Sequence, residues 1–350
     1  MDFRSDNVTG AAPEILKALV EAASGTVSSY GEDPITARVE EKLKAIFECD
    51  LAAFPVATGT AANSLSLSLL SPAWGAVFCH EGAHIAVDEC GAPEFFTGGA
   101  KLIDLPGADG KLTASQLVEL IPGGLGVVHH AQPAAISLTQ ATEAGTCYRP
   151  DEVAAIGELG RRHGLRLHMD GARFANALAF LNATPAEMTW RAGVDILSFG
   201  ATKNGALAAE AVVIFDKTLA REFGFRRKRA GHLFSKMRFL SAQLDAYLSG
   251  DLWLKHARHA NAMARRLAEG LASVPGVSLA HPVEANEVFA DLPETAIRGL
   301  DADGFRCYRW LGEDKQRLRL VTAFNTKPAD VEAFIASAKR HAVKANERVA

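Results

Sequence analysis

LRLHMDGAR places Asp170 just after an apolar run, with Gly171 next and Arg173 three residues on, and VDILSFGATKNG follows a second apolar run with Lys203 in a turn of small residues. In open α/β sheets ligands gather at the carboxyl ends of strands. A carboxylate at one such end and an amine at another meet the needs of pyridoxal 5′-phosphate. The amine condenses with the aldehyde as a Schiff base, while the carboxylate keeps the ring nitrogen protonated so that the ring can accept electrons. Singly, Asp170 also reads as a loop or helix cap and Lys203 as a surface lysine. It is the pair that points to the cofactor.

Such a cofactor also needs a phosphate seat. AFPVATGTAANSL offers one, an apolar run leading into Thr58, Gly59 and Thr60 at the start of a helix. Backbone N–H groups and the helix dipole favour phosphate there, although many Gly/Thr-rich loops hold no ligand. HEGAH, from His80 to His84, matches the H-E-x-x-H zinc-protease signature. That chemistry requires both histidines on one helix, whereas Gly82 and the β-like flanks argue against a helix. His84 suits an imidazole lying against a pyridine ring beside the substrate, or a packed core histidine. Ser5 and Asp6 belong to a polar arm that either folds over a site or stays free. The basic run Arg226–Arg229 reads as a phosphate contact, one that could cross a subunit interface, or as a solvated face. Arg319 in RLRLVTAF reads as a fork for a substrate carboxylate or as an edge-strand arginine.

The elements that must position these groups follow from periodicity. PEILKALVEAA predicts a short helix beginning at Pro13. From about residue 34, helical segments (TARVEEKLKAIFE, TAANSLSLSLLS) alternate with apolar runs (AVFC, AHIAV, KLIDL, LGVVHH, LRLHMD, VDILSF, AVVIF). That alternation predicts an α/β fold: a mostly parallel sheet covered by helices on both faces. Near residue 250 the long amphipathic stretch LWLKHARHANAMARRLAEGLASV ends at Pro275-Gly276 and leads to shorter strands and a final helix, ADVEAFIASAKRHA. The expected division is an arm and helix over residues 1–30, a large cofactor-binding domain over 31–250 and a smaller C-terminal α+β domain over 251–350.

The 350 residues carry a net charge of −4 and are 48% hydrophobic, which suits a large buried core and disfavours nucleic-acid partners. Five cysteines (Cys49, Cys79, Cys90, Cys147, Cys307) include no C-x-x-C pair, so neither a disulfide framework nor a cysteine metal site is expected, and a reducing cytoplasm fits. No export signal or membrane span is read, because no apolar run reaches the needed length of about 18 residues.

Taken together, FRSDNVTG, YGEDP, ATGTAAN, HEGAHIAVDECGAPEFFTGG, SLTQATEAGT, LHMDGAR, GATKNGALAAEA, the KRAG segment and LRLVTAF resemble the low-specificity L-threonine aldolases, nearly end to end. The resemblance implies a pyridoxal-phosphate enzyme of fold type I, the aspartate-aminotransferase fold. By matching motif, Lys203 is the Schiff-base lysine, Asp170 the partner of the ring nitrogen, and His84 the imidazole stacked on the ring. Gly59 and Thr60 match the phosphate cup. Ser5, Arg173 and Arg319 match positions holding the substrate carboxylate or the cofactor oxygen, and Arg229 a phosphate contact from a neighbouring subunit. Also implied are a homotetramer and cleavage of threonine, allo-threonine and related β-hydroxy-α-amino acids to glycine and an aldehyde. The chain departs from many members by reading Ser5-Asp6-Asn7 for SDT, Thr142 where a second histidine is common, and Val321-Thr322-Ala323 for VTH. The alternatives are transamination or β-elimination by the same Asp/Lys pair, a zinc peptidase, and a protein that binds the cofactor without catalysis.

Overall fold

The computed structural model describes residues 1–310 and 316–346. Its large sheet has seven strands: β1 (Ala52–Val56), β2 (Gly75–His80), β3 (Lys101–Leu105), β4 (Gln132–Thr139), β5 (Arg166–Gly171), β6 (Ile196–Gly200) and β7 (Glu210–Ile214). Their order is β1-β7-β6-β5-β4-β2-β3. Only β7 runs against its neighbours, pairing antiparallel with both β1 and β6. The mostly parallel sheet expected from the alternating pattern is therefore present.

Strand side chains alternate between faces, and here both faces are dry. Ile196, Val212 and Ile214 pack with Ala62 and Leu65 of the helix Gly59–Leu70. Leu197, Phe199 and Val213 point the other way, toward Val39, Leu43 and Phe47 of the helix Pro34–Phe47. Phe199 anchors that second core, with ring centroids 6.3 Å from Phe47 and 5.6 Å from Trp253.

Two apolar runs expected as strands take other forms. HIAV forms a short helix, His84–Val87, with Val87 57% exposed. LGVVHH, residues 125–130, is a turn with Val128 92% exposed. There the Gln132 side chain accepts from the Gly126 amide and donates to the carbonyls of Gly124, Val127 and His130. Those backbone groups are thus satisfied locally, and the strand begins later, at Gln132.

The second sheet contains β8 (Ser278–Leu279), β9 (Glu287–Asp291), β10 (Tyr308–Arg309) and β11 (Arg317–Val321), in antiparallel order β10-β11-β9-β8. Arg319 thus lies on an inner strand, flanked on both sides, and not on an edge. The helices Glu294–Ala302 and Pro328–Asn346 close its core. The helix Leu252–Ala272 serves both cores, Trp253 and Ala257 in one and Met263, Leu267 and Leu271 in the other. The N-terminal arm is pinned to the smaller sheet: the Phe3 amide donates to Arg306 O (2.8 Å), its carbonyl accepts from the Val321 amide (2.8 Å), and its ring is buried.

Gly200, the last residue of β6, abuts the turn after β5. A Cβ at Gly200 would sit 2.5 Å from the Ala172 carbonyl oxygen and 2.7 Å from its Cα, so the ends of β5 and β6 approach this closely only with glycine there. Gly200→Ala is expected to lower stability by about 1–3 kcal/mol, the usual cost of overpacking, read as a lower urea midpoint with unchanged slope.

Candidate active site

Topology brings four element ends to one edge of the large sheet. Asp170, the penultimate residue of β5, pairs with Ser198 of β6, while Gly200 and Val56 both lie opposite Glu210 at the start of the reversed β7. β6 leads into the turn Thr202–Asn204, and β1 leads through Thr58 into the helix Gly59–Leu70. Between them lies a cavity of about 360 Å³ whose wall includes Thr58, Gly59, Thr60, His84, Asp170 and Lys203. Six residues singled out from sequence therefore share one cavity. A more open groove of about 540 Å³ borders Arg166 and Asp195 at the opposite end of the strands. Its charges are already paired, Arg166 with Asp195 (2.7 Å) and Asp216 (3.2 Å), and it offers no comparable chemistry.

Local bonding holds each group of the cavity in place. The Thr58 hydroxyl caps the helix by accepting from the Ala61 amide at 3.2 Å. The lysine turn is fixed by Asn204, whose side-chain amide donates to the Tyr247 hydroxyl (2.7 Å) and the Trp253 carbonyl (2.8 Å). Glu210 accepts from the Ala201 amide at 2.7 Å, and burial pushes its carboxyl up to about 7.

Asp170 is 4% exposed. Its Oδ2 accepts from Asn63 Nδ2 (2.8 Å) and its Oδ1 from the Ala172 amide (3.0 Å). Among the described residues no cation pairs with it. Asn63 Nδ2 also donates to Glu89 Oε1 (2.8 Å), which in turn meets His84 Nδ1 at 2.9 Å. The Glu89 hydrogen bond lifts His84 above the ordinary imidazole value, and burial raises Glu89. Asp170, Asn63, Glu89 and His84 thus form one hydrogen-bonded chain.

The beta-eliminating lyase family model matches residues 2–295. A low specificity L-threonine aldolase of Pseudomonas aeruginosa is 49% identical over 315 residues, spanning 90% of this chain and 91% of the relative. One from a Pseudomonas species is 45% identical over 334 residues, 95% of this chain and 96% of that one. The chain belongs to the low-specificity L-threonine aldolase family. The solved Leishmania major threonine aldolase superposes with a TM-score of 0.92 at 28% identity, covering 97% of this chain and 99% of the other.

Four further residues matched to aldolase motifs are absent from the residues lining the cavity. Arg173, 3% exposed, binds Asp6 through Nε (2.9 Å) and Nη2 (3.0 Å) and approaches Glu287 at 3.3 Å. Arg319 binds Glu287 through Nε at 3.1 Å and stacks on Trp310. Ser5 caps the turn Asp6–Val8, accepting from the Asn7 amide at 3.1 Å, and Asn7 itself reaches the cavity. Arg229 is exposed at the end of the helix Ala220–Arg229. From that helix it is Arg227 that points inward, over the Phe54 ring, and burial lowers it to about 10. His80 and His84 share no helix: His80 ends β2 and bonds Gly107 O.

Sequence reasoning missed Asn63, Glu89, Glu143 and Glu210. Asn63 hides in an apolar helix, and the three acids come to the site only through the packing of separate elements, so no short-range pattern marks them.

Two measurements probe these contacts. In an NMR titration, His84 should titrate above an ordinary imidazole, and Glu89→Gln should move it down, because the anion that favours the imidazolium is removed. Burial opposes ionisation of Asp6, yet Arg173 and Lys203 hold its carboxyl below the usual range. Its pairing therefore stabilises the fold above the ordinary carboxylate pKa and is lost as pH falls through the lowered one. Arg173→Met should destabilise by about 3–5 kcal/mol, since it strands buried carboxylates, as measured by urea unfolding near neutral pH.

Proposed function

We propose that this chain cleaves L-threonine, L-allo-threonine and related β-hydroxy-α-amino acids to glycine and an aldehyde, using pyridoxal 5′-phosphate held in the cavity described above. One observation carries the reading: a buried carboxylate, Asp170, with no paired cation among the described residues, shares a wall with Lys203 and the capped helix end at Thr58. That donor set fits the cofactor. Asp170 suits a protonated ring nitrogen, Lys203 an aldehyde, and the amides and hydroxyls at Thr58, Gly59 and Thr60 a phosphate. When bound, the cofactor supplies an electron-accepting ring that spreads the charge left on the α-carbon as the Cα–Cβ bond breaks.

The chain's own residues do the rest. Asp170 is oriented by Asn63 and the Ala172 amide, so its charge is already in place when electrons move. His84 lines the cavity and is oriented through Nδ1 by Glu89. Glycine release and aldehyde formation, rather than amino transfer, follow the names of the 45–49% identical relatives.

A shared-site homotetramer in the cytoplasm completes the proposal. Five free cysteines are compatible with a reducing compartment, and no described helix is long and apolar enough to cross a membrane. Exposed Leu207 and Phe225 offer apolar surface near the lysine turn and beside the basic run. Activity that falls on dilution would support shared sites.

The deciding assay mixes the cofactor-loaded chain with L-threonine and measures acetaldehyde and glycine, which should appear in equal amounts. Amino transfer to a 2-oxo acid without aldehyde would sink the reading. Lys203→Ala should abolish turnover, and Asp170→Ala should lose roughly 100-fold or more in kcat at saturating cofactor.

A further inference from the structure

Glu143 lines the cavity beside Lys203, His84 and Asp170. It sits at the second position of a tight turn in which the Gly145 amide donates to Thr142 O (2.9 Å). The Thr142 and Thr146 hydroxyls lie 2.7 Å apart and both reach the Asp109 carbonyl, at 3.1 and 2.6 Å. Gly145 has φ +75°, and a Cβ there would lie 3.1 Å from both Cβ and the carbonyl oxygen of Glu287. The turn that presents Glu143 is thus held on two sides.

The carboxylate itself is held by nothing: among the described residues no hydrogen bond or ion pair reaches it. The other acids of the cavity wall are engaged, Asp170 by Asn63 and the Ala172 amide, Glu210 by the Ala201 amide. His84 is engaged through Nδ1 by Glu89, which favours its protonated form, and a ring that already carries both protons has no nitrogen left to accept another.

We propose that Glu143, and not His84, takes the proton from the substrate's β-hydroxyl, a role that rests on the aldolase reading above. The hydroxyl proton passes to the Glu143 carboxylate, and the O–H electron pair becomes the second C–O bond of the aldehyde. The Cα–Cβ pair stays with the α-carbon, which takes up one proton to give glycine. Protons and electrons balance without an oxidant or co-reactant. The surroundings suit a general base. Burial raises the carboxyl above its ordinary value, Lys203 and Arg173 pull it back, Glu287 and Asp170 push it up, and His84 faces it. A base is most effective when its pKa lies near the working pH.

The test compares two reactions of the cofactor-loaded chain: aldehyde release from L-threonine, and exchange of a glycine α-proton with deuterated water by NMR. Only the first requires the hydroxyl proton to move. Glu143→Gln should lower aldehyde release about 100-fold or more, the lower end of the roughly 10²–10⁴ range of general-base loss, while glycine exchange falls by a much smaller factor. Glu143→Asp should restore part of the loss. In the protein without cofactor, Glu143→Gln should also lower the NMR titration of His84, because an adjacent negative charge is gone.

A smaller loss of aldehyde release overturns the proposal, as does an equal loss in both reactions or an unmoved His84. Wild-type protein that exchanges glycine but releases no aldehyde defeats the aldolase reading itself. Normal aldehyde release by wild type and Glu143→Gln alike defeats only this proposal.

Discussion

An ionised carboxylate held away from water costs several kcal/mol unless its oxygens are satisfied, and Asp170 is 4% exposed at the end of β5. The surrounding structure is organised around that cost. Asn63 and the Ala172 amide satisfy the oxygens, and Asn63 also donates to Glu89, which orients His84. Asn63 stands on the helix whose N-terminus is capped by Thr58. One rigid element therefore places both the carboxylate's partner and the anion-binding end of the cavity. A small rotation of this helix would disturb both together.

A second set of buried charges ties the rest of the molecule to this edge. Asp6 comes from the arm, Arg173 from the turn after β5, and Glu287 and Arg319 from the smaller sheet. Two acids meet two guanidiniums, so the cluster is formally neutral while fixing the smaller sheet against the larger. Its charges also act on the cavity: Arg173 and Glu287 pull Glu143 in opposite directions. Arg319, which reads from sequence as a fork for a substrate carboxylate, and Arg173, matched by resemblance to a position holding that carboxylate or the cofactor oxygen, are already engaged with this chain's own acids. Any carboxylate bound there must share or displace those partners.

The fold was legible wherever burial imposed a simple period. The helix at Pro13 and the strands at 166–171, 196–200 and 210–214 fall where their apolar patterns predict. The failures share a cause. HIAV and LGVVHH are apolar, but Val87 and Val128 are exposed, so hydrophobicity without a partner surface made no strand. In the second case the Gln132 side chain met the backbone's hydrogen bonds instead.

By itself the sequence determined which groups stand at element ends, Asp170 and Lys203 after apolar runs and Thr58 to Thr60 at a helix start. Such signals are short-range: an apolar stretch, then a cap or a turn of small residues. Only the tertiary structure decided their companions. Asn63 and Asp170 are 107 positions apart, Arg173 and Asp6 167, and Asn286 and Asp6 280. Glu143 looked like one more polar loop residue until the fold set it beside Lys203 and His84. The physical reason is that periodicity records which face of an element is buried, whereas the character of a buried charge depends on whatever distant segment packs against it.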